Sequence, residues 1–245
     1  MSKRWHQEHR RDPWRRRAKR EGYRARSAYK LLQIQEKFEM IREGDSVLDL
    51  GCHPGGWTQV AVGLVGEEGT VVGVDLLPTV PIEHATLLTG DIEHQSVHDA
   101  IINEIEGNKF NSVVSDISPS LTGQYDRDQA ISLTLVCMVF DFGIANLTPG
   151  GSLVTKLFQG HGTDAIVKAA KERFSIVNRF SPLASRNASS EVYLVCRNLL
   201  PKRKRPKAKV APTVEARLVR DGLIAGDVVD DIEPIIGFTR RSKSE

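Results

Sequence analysis

The sequence predicts an α/β fold: a seven-stranded, mostly parallel sheet whose last strand is antiparallel. Three observations predict it. Short apolar runs recur from residue 46 onward with helix-like spans between them, as strands buried on both faces and joined by crossovers do. The first run leads straight into a glycine-rich turn, residues 51–57 (GCHPGGW), where a helix N-terminus and unobstructed backbone N–H groups can approach a ligand. The last two runs, SIVNRF at 175–180 and EVYLVCRNL at 191–199, are separated by a polar loop that is too short for a crossover helix.

Taken in order, the segment from Ser27 to Phe38 has helical spacing, with Leu31, Ile34 and Phe38 on one stripe. SVLDL at 46–50 is the first strand, with Val47, Leu48 and Leu50 as its apolar residues. TVVGVD at 70–75, ATLLTGD at 85–91, NSVVSD at 111–116 and GSLVTKLF at 151–158 follow as strands. Between the last two, Asp126 to Leu147 reads as the clearest helix, closed by Thr148-Pro149-Gly150-Gly151. After Leu200 the chain turns basic (PKRKRPKAK) and loses periodicity, which reads as a tail. The expected organisation is a basic arm over 1–26, one domain over 27–200 and a basic tail over 201–245.

The 245 residues, 40% hydrophobic and 27% charged, suffice for one such domain with short extensions. No apolar run approaches the ~20 residues that span a bilayer, and the first thirty residues are too charged for a secretory signal. The expectation is a cytoplasmic protein without a membrane partner. Cys52, Cys137 and Cys196 are odd in number and widely spaced, so they read as reduced, buried thiols. The seven histidines lack metal-ligand spacing, and no metal is expected.

The net charge of +3 conceals an uneven distribution. Residues 1–30 carry 12 Lys/Arg against 3 Asp/Glu, and residues 201–245 carry 11 against 7, which leaves −10 on the body between them. Basic arms on an acidic body suit a polyanion. Trp5, Trp14 and Tyr23 interleave with the N-terminal arginines, and such rings suit stacking on unpaired bases. RNA is therefore the expected partner.

The glycine turn lacks the G-x-G-x-x-G spacing of a dinucleotide site and the lysine of a P-loop. Asp75, Asp91 and Asp116 close successive predicted strands, and the carboxyl ends of strands in an open α/β sheet face one cleft. Asp75 suits ribose hydroxyls and Asp91 an adenine amino group. Lys156 lies within the apolar run Leu153–Phe158; burial favours the neutral amine, which makes it a candidate general base. Lys30 and Glu191 carry no signal singly.

Together they do. With Lys30 in SAYKL, Asp116 in SDISP, Lys156 in TKLFQG and Glu191 in SSEVYLV, the chain resembles the FtsJ/RrmJ-type ribose 2′-O-methyltransferases from about Arg24 to Leu199; GWTQVA after the turn adds to the likeness. The resemblance implies a Rossmann-like class I fold, S-adenosylmethionine as methyl donor and no metal. It implies Gly55, Trp57, Asp75, Asp91 and Asp116 as cofactor-binding residues. It implies Lys30, Asp116, Lys156 and Glu191 as the catalytic group, with Lys156 as proton acceptor. The implied substrate is the ribose of a uridine in 23S ribosomal RNA, within the large ribosomal subunit, acted on by a monomer. Transfer RNA as substrate, or a non-catalytic RNA-binding protein on the same fold, are the alternatives. Two departures stand out: Cys52-His53 replaces a pair of small residues, and Leu121–Asp128 is a variant loop.

Overall fold

The computed structural model describes residues 12–119, 122–185 and 190–224. Helices α1 (Pro13–Glu21) and α2 (Ala28–Phe38) precede strand β1 (Ser46–Leu50). Helix α3 (Gly56–Val65), strands β2 (Thr70–Asp75) and β3 (Thr86–Thr89), helix α4 (Gln95–Asn103) and strand β4 (Phe110–Ser115) follow. Then come α5 (Tyr125–Asn146), β5 (Leu147–Phe158), α6 (Thr163–Lys171), β6 (Phe174–Phe180), β7 (Glu191–Leu199) and α7 (Val210–Arg220). The seven strands form one sheet in the order β3-β2-β1-β4-β5-β7-β6. β7 slots between β5 and β6 and runs antiparallel to both, while β1 to β5 are parallel.

Alternation along each strand builds the two cores. Val47, Val71, Val114 and Val154 pack with Leu31, Ile34 and Trp57 of α2 and α3. Leu48, Leu50, Val72 and Leu153 pack with residues of α4, α5, α6 and α7 on the other face. Among the described residues, α5 alone has the length and apolarity of a membrane span, but half of it is buried inside the protein, as befits a core helix of an α/β sheet. All three cysteines are buried free thiols.

Three sequence expectations need correction. The Thr148–Gly151 segment was expected only as a helix-closing turn, yet it lies within the span of β5. Leu147 pairs with Phe110 and Ser152 with Ser112, so the turn loops out of a strand that has already begun. The stretch after Leu200 is no free tail up to Ile224: α7 buries Val210 and Val214 against the domain. Pro212 is tolerated in its first turn, where N–H groups have no intrahelical partner. Residues 225–245 lie outside the described residues.

The third concerns the N-terminal aromatics. Trp14 packs on Tyr29 with ring centroids 5.1 Å apart, and Tyr23 meets the same ring at 5.6 Å. Both are half-buried and help to seat α1 on α2, so neither ring stands free of the domain as expected; Trp5 lies outside the described residues. Asp12 caps α1 by accepting from the Trp14 and Arg15 N–H groups, and Arg26 ties Asp12 to the carbonyl of Ala184. The arginine-rich face of α1 stays exposed.

Candidate active site

The parallel strands end at the edge of the sheet where the sequence-predicted residues gather. Asp116 follows the last residue of β4. Lys156 sits on β5 opposite Tyr193 of β7, and Glu191, the first residue of β7, pairs with Phe158. Lys30 comes from the first turn of α2. Lys30 and Lys156 are 7% and 5% exposed, so their charges require partners.

The partners form a chain. Lys156 Nζ lies 3.1 Å from Asp116 Oδ1 and donates to the Asp116 carbonyl at 2.7 Å. Lys30 Nζ donates to Glu191 Oε2 at 3.1 Å and stands 3.8 Å from Asp116 Oδ1. The Tyr193 hydroxyl donates to that same Oδ1 at 2.5 Å, and the Lys30 ammonium is 5.5 Å from the Tyr193 ring centre. Burial opposes the charge of Asp116, but Lys156, Lys30 and the Tyr193 hydroxyl outweigh it and hold its pKa below the ordinary carboxylate value. Burial, then the charges of Asp116 and Glu191, push the Tyr193 phenol well above its usual pKa.

The glycine turn forms the second part. Gly55 precedes α3 at φ +107°, and a Cβ there would lie 2.7 Å from Ile82 Cδ1; only glycine fits such a position without strain. The N-cap residue makes no side-chain hydrogen bond to α3; the Thr58 N–H is taken by Asp49, which leaves those of Gly56 and Trp57 for a ligand. Trp57, expected at the cofactor, is 3% exposed, and its indole N–H donates to the Ser27 carbonyl at 2.8 Å. Its side chain belongs to the core, which leaves its backbone N–H as the group near the turn. Asp75 accepts from the His53 N–H at 2.9 Å and the Leu77 N–H at 2.8 Å, tying the turn to the β2–β3 loop. Asp91 lies two residues beyond β3 and accepts from the Glu93 N–H at 2.9 Å. Each carboxylate keeps acceptor capacity for a ligand.

Sequence reasoning missed three residues. Asp49 is 1% exposed; its Oδ2 accepts from the Thr58 hydroxyl at 2.7 Å while its Oδ1 has no partner. Burial pushes its pKa to about 7, with the Thr58 hydrogen bond opposing and the charges of Asp116 and Asp75 adding. Its signal was an acid inside the apolar run VLDL. Tyr193 stands two residues after Glu191 and so shares its face of the strand. Arg24 reaches across the turn to the Val80 and Pro81 carbonyls and pins the β2–β3 loop.

A sheet of this order, with a glycine turn after β1, acids at the strand ends and a buried lysine on β5, defines a Rossmann-like methyltransferase. The chain belongs to the FtsJ-like methyltransferase family, whose model matches residues 23–199. It is 42% identical over 196 residues to ribosomal RNA large subunit methyltransferase E of Stutzerimonas stutzeri, covering 80% of this chain and 95% of that one. The protein of that name from Marinobacter nauticus is 43% identical with the same coverage. A Plasmodium falciparum crystal structure described as a ribosomal RNA methyltransferase superposes with a TM-score of 0.66 at 25% identity, over 74% of this chain and all of that one.

Proposed function

We propose that this methyltransferase modifies the 2′-oxygen of a ribose, that of a uridine, in large-subunit 23S ribosomal RNA, with S-adenosylmethionine as donor and Lys156 as proton acceptor. The observation that carries the chemistry is the chain Glu191–Lys30–Asp116–Lys156, continuous at 3.1, 3.8 and 3.1 Å at the edge beside the glycine turn. The similarity to the large-subunit enzymes supports the substrate.

The residues beside the turn fit the donor. A cleft beside Asp75, Asp91 and Asp116, with Asp49 buried close to them, suits a cationic ligand and opposes a pyrophosphate. The unpartnered Asp49 Oδ1 is an acceptor for an ammonium. Gly55 and the backbone N–H groups of Gly56 and Trp57 would receive the carboxylate end, Asp75 the ribose hydroxyls and Asp91 the adenine amino group. The bound donor supplies a methyl group on a sulfonium, which departs as a neutral thioether.

The protein's own work is alignment and proton removal. Lys156 Nζ, fixed by two contacts to Asp116, must first lose a proton to solvent; as the free amine it takes the proton of the 2′-hydroxyl while the oxygen bonds to the methyl carbon and the carbon–sulfur bond breaks. Asp116 then faces an ammonium it can stabilise. Lys30 and Tyr193 fix the position of Asp116, and Glu191 fixes Lys30.

The test is methyl transfer from labelled donor to large subunits lacking the modification, with the methylated ribose mapped afterwards. Incorporation at one ribose of 23S RNA is expected. Incorporation into transfer RNA instead would reassign the substrate; none into any RNA, with donor bound, would leave a non-catalytic RNA-binding protein.

A further inference from the structure

We infer that the segment 201–209 is a second RNA-contacting surface, held rigidly at the sheet edge opposite the active site. The inference rests on RNA being the substrate. It begins with six Lys/Arg in nine residues, PKRKRPKAK, with no acid among them. The segment follows the residues shared with the family, which end at 199.

The run is pinned at both ends. The Leu200 N–H donates to the Arg173 carbonyl at 2.8 Å. The Arg173 guanidinium, 2% exposed, donates to the carbonyls of Ala208 at 2.8 Å and Lys209 at 3.4 Å and to the Thr213 hydroxyl at 3.2 Å. Asp141 of α5 accepts from the Val210 and Ala211 N–H groups at 2.5 and 3.2 Å, anchoring the start of α7, whose Val210 and Val214 are buried. Lys202–Lys204 form one 3-10 turn between these anchors.

On this scaffold Lys202, Arg203, Lys204, Lys207 and Lys209 are all exposed. None makes an ion pair among the described residues. Cations presented on a fixed backbone with no carboxylate to displace bind a polyanion without first ordering the chain. The run between the anchors exposes no aromatic or large aliphatic side chain, which a membrane-surface element would need.

Position makes this surface distinct from the catalytic end. Glu191 pairs with Phe158 at the active-site edge, whereas Leu199 pairs with Phe174 at the other edge. At ~3.3 Å per residue, β7 separates the two by about 26 Å. The arginine-rich α1, seated on the first turns of α2, lies toward the catalytic edge. A short oligonucleotide in the active site cannot reach residues 201–209; a folded RNA or a ribosomal subunit can. The surface therefore selects for large substrates.

The experiment replaces Lys202, Arg203, Lys204, Lys207 and Lys209 with Gln, leaving Arg173, Asp141 and α7 intact, and compares the variant with the parent. A thermal midpoint within a degree or two shows that α7 stays docked. Binding to a large-subunit RNA domain is measured across salt concentrations. The slope of log K against log salt is expected to fall by about 3 to 4, and KM for that RNA to rise roughly tenfold with kcat unchanged. A short oligonucleotide carrying the target nucleotide keeps its KM. An unchanged slope and affinity for the large RNA would overturn the inference. So would an equal loss on the oligonucleotide, or a loss confined to anionic vesicles or an acidic protein. The salt slope reads binding without methyl transfer, so it remains decisive if the catalytic reading fails.

Discussion

Two regions of this protein bury cations, and they treat them in opposite ways. At the catalytic edge, Lys30 and Lys156 face the carboxylates of Glu191 and Asp116. At the far edge, Arg173 faces the carbonyls of Ala169, Ala208 and Lys209 and the hydroxyl of Thr213, with a carboxylate, Glu172, only at 3.6 Å. Carbonyls cannot take a proton, and a guanidinium does not release one, so the Arg173 site is a brace. Ammonium groups sharing carboxylates can exchange protons with a ligand. If Lys156 is the proton acceptor proposed above, partner chemistry, more than burial, separates it from the structural Arg173.

The largest expected effect tests the reactive side. Lys156→Ala should lower kcat by about 10²- to 10⁴-fold, the range of a lost general base, while donor binding persists. Full methyl transfer by that variant would break the comparison, because the buried lysine would then be no more reactive than Arg173. The mirror change is Arg173→Ala. It removes the donor shared by the Ala169, Ala208 and Lys209 carbonyls and frees α7, at a cost of about 3 kcal/mol read as a lower thermal midpoint. Activity per folded molecule on a short RNA should be unchanged.

Much of the catalytic edge was legible in the sequence, and for a physical reason. Strands buried on both faces, the glycine turn and the strand-end acids are local patterns that fix what they build. The lysine–carboxylate set is not local: Lys30 and Glu191 are separated by 161 residues and became readable only through resemblance to a family. The brace was illegible. Val210, Val214 and Leu218 are four apart, but a basic, proline-punctuated run obscured them, and their partners Arg173 and Asp141 gave no sign of waiting for a helix. The sequence did not show which part of Trp57 faces the turn: its ring fills the core between α2 and β7, and only its backbone N–H stands beside the glycines.

A smaller effect sharpens the catalytic half. Tyr193→Phe removes the donor to Asp116 Oδ1, a charge-assisted hydrogen bond. The Asp116 pKa then rises toward the ordinary carboxylate value, so the acid limb of the pH–rate profile should move to higher pH. Activity at neutral pH should fall about tenfold. A slower enzyme with an unmoved profile would mean that Tyr193 only packs.

The smallest effect concerns Asp49, a buried acid whose Oδ1 has no hydrogen-bond partner among the described residues. In the folded, ligand-free protein its pKa is about 7, raised from 3.8 by burial; in the unfolded chain it reverts. Between these values the folded state holds a proton that the unfolded state has released, so stability falls as pH rises from ~4 to ~7 and stays low above. Three units correspond to a ceiling of about 4 kcal/mol. Asp116 has the opposite sign: its lowered pKa contributes stability above the unfolded value and loses it as pH falls through the folded one. Asp49→Asn keeps an acceptor for Thr58 and removes the titration. Relative to the parent, its thermal midpoint should gain ground from pH 5 to pH 8, and this pH dependence separates charge from the constant cost of an unpaired amide. A gap between variant and parent that does not change with pH would show that Asp49 is already neutralised by a partner, and the contrast between paired and unpaired buried charge would lose its clearest case.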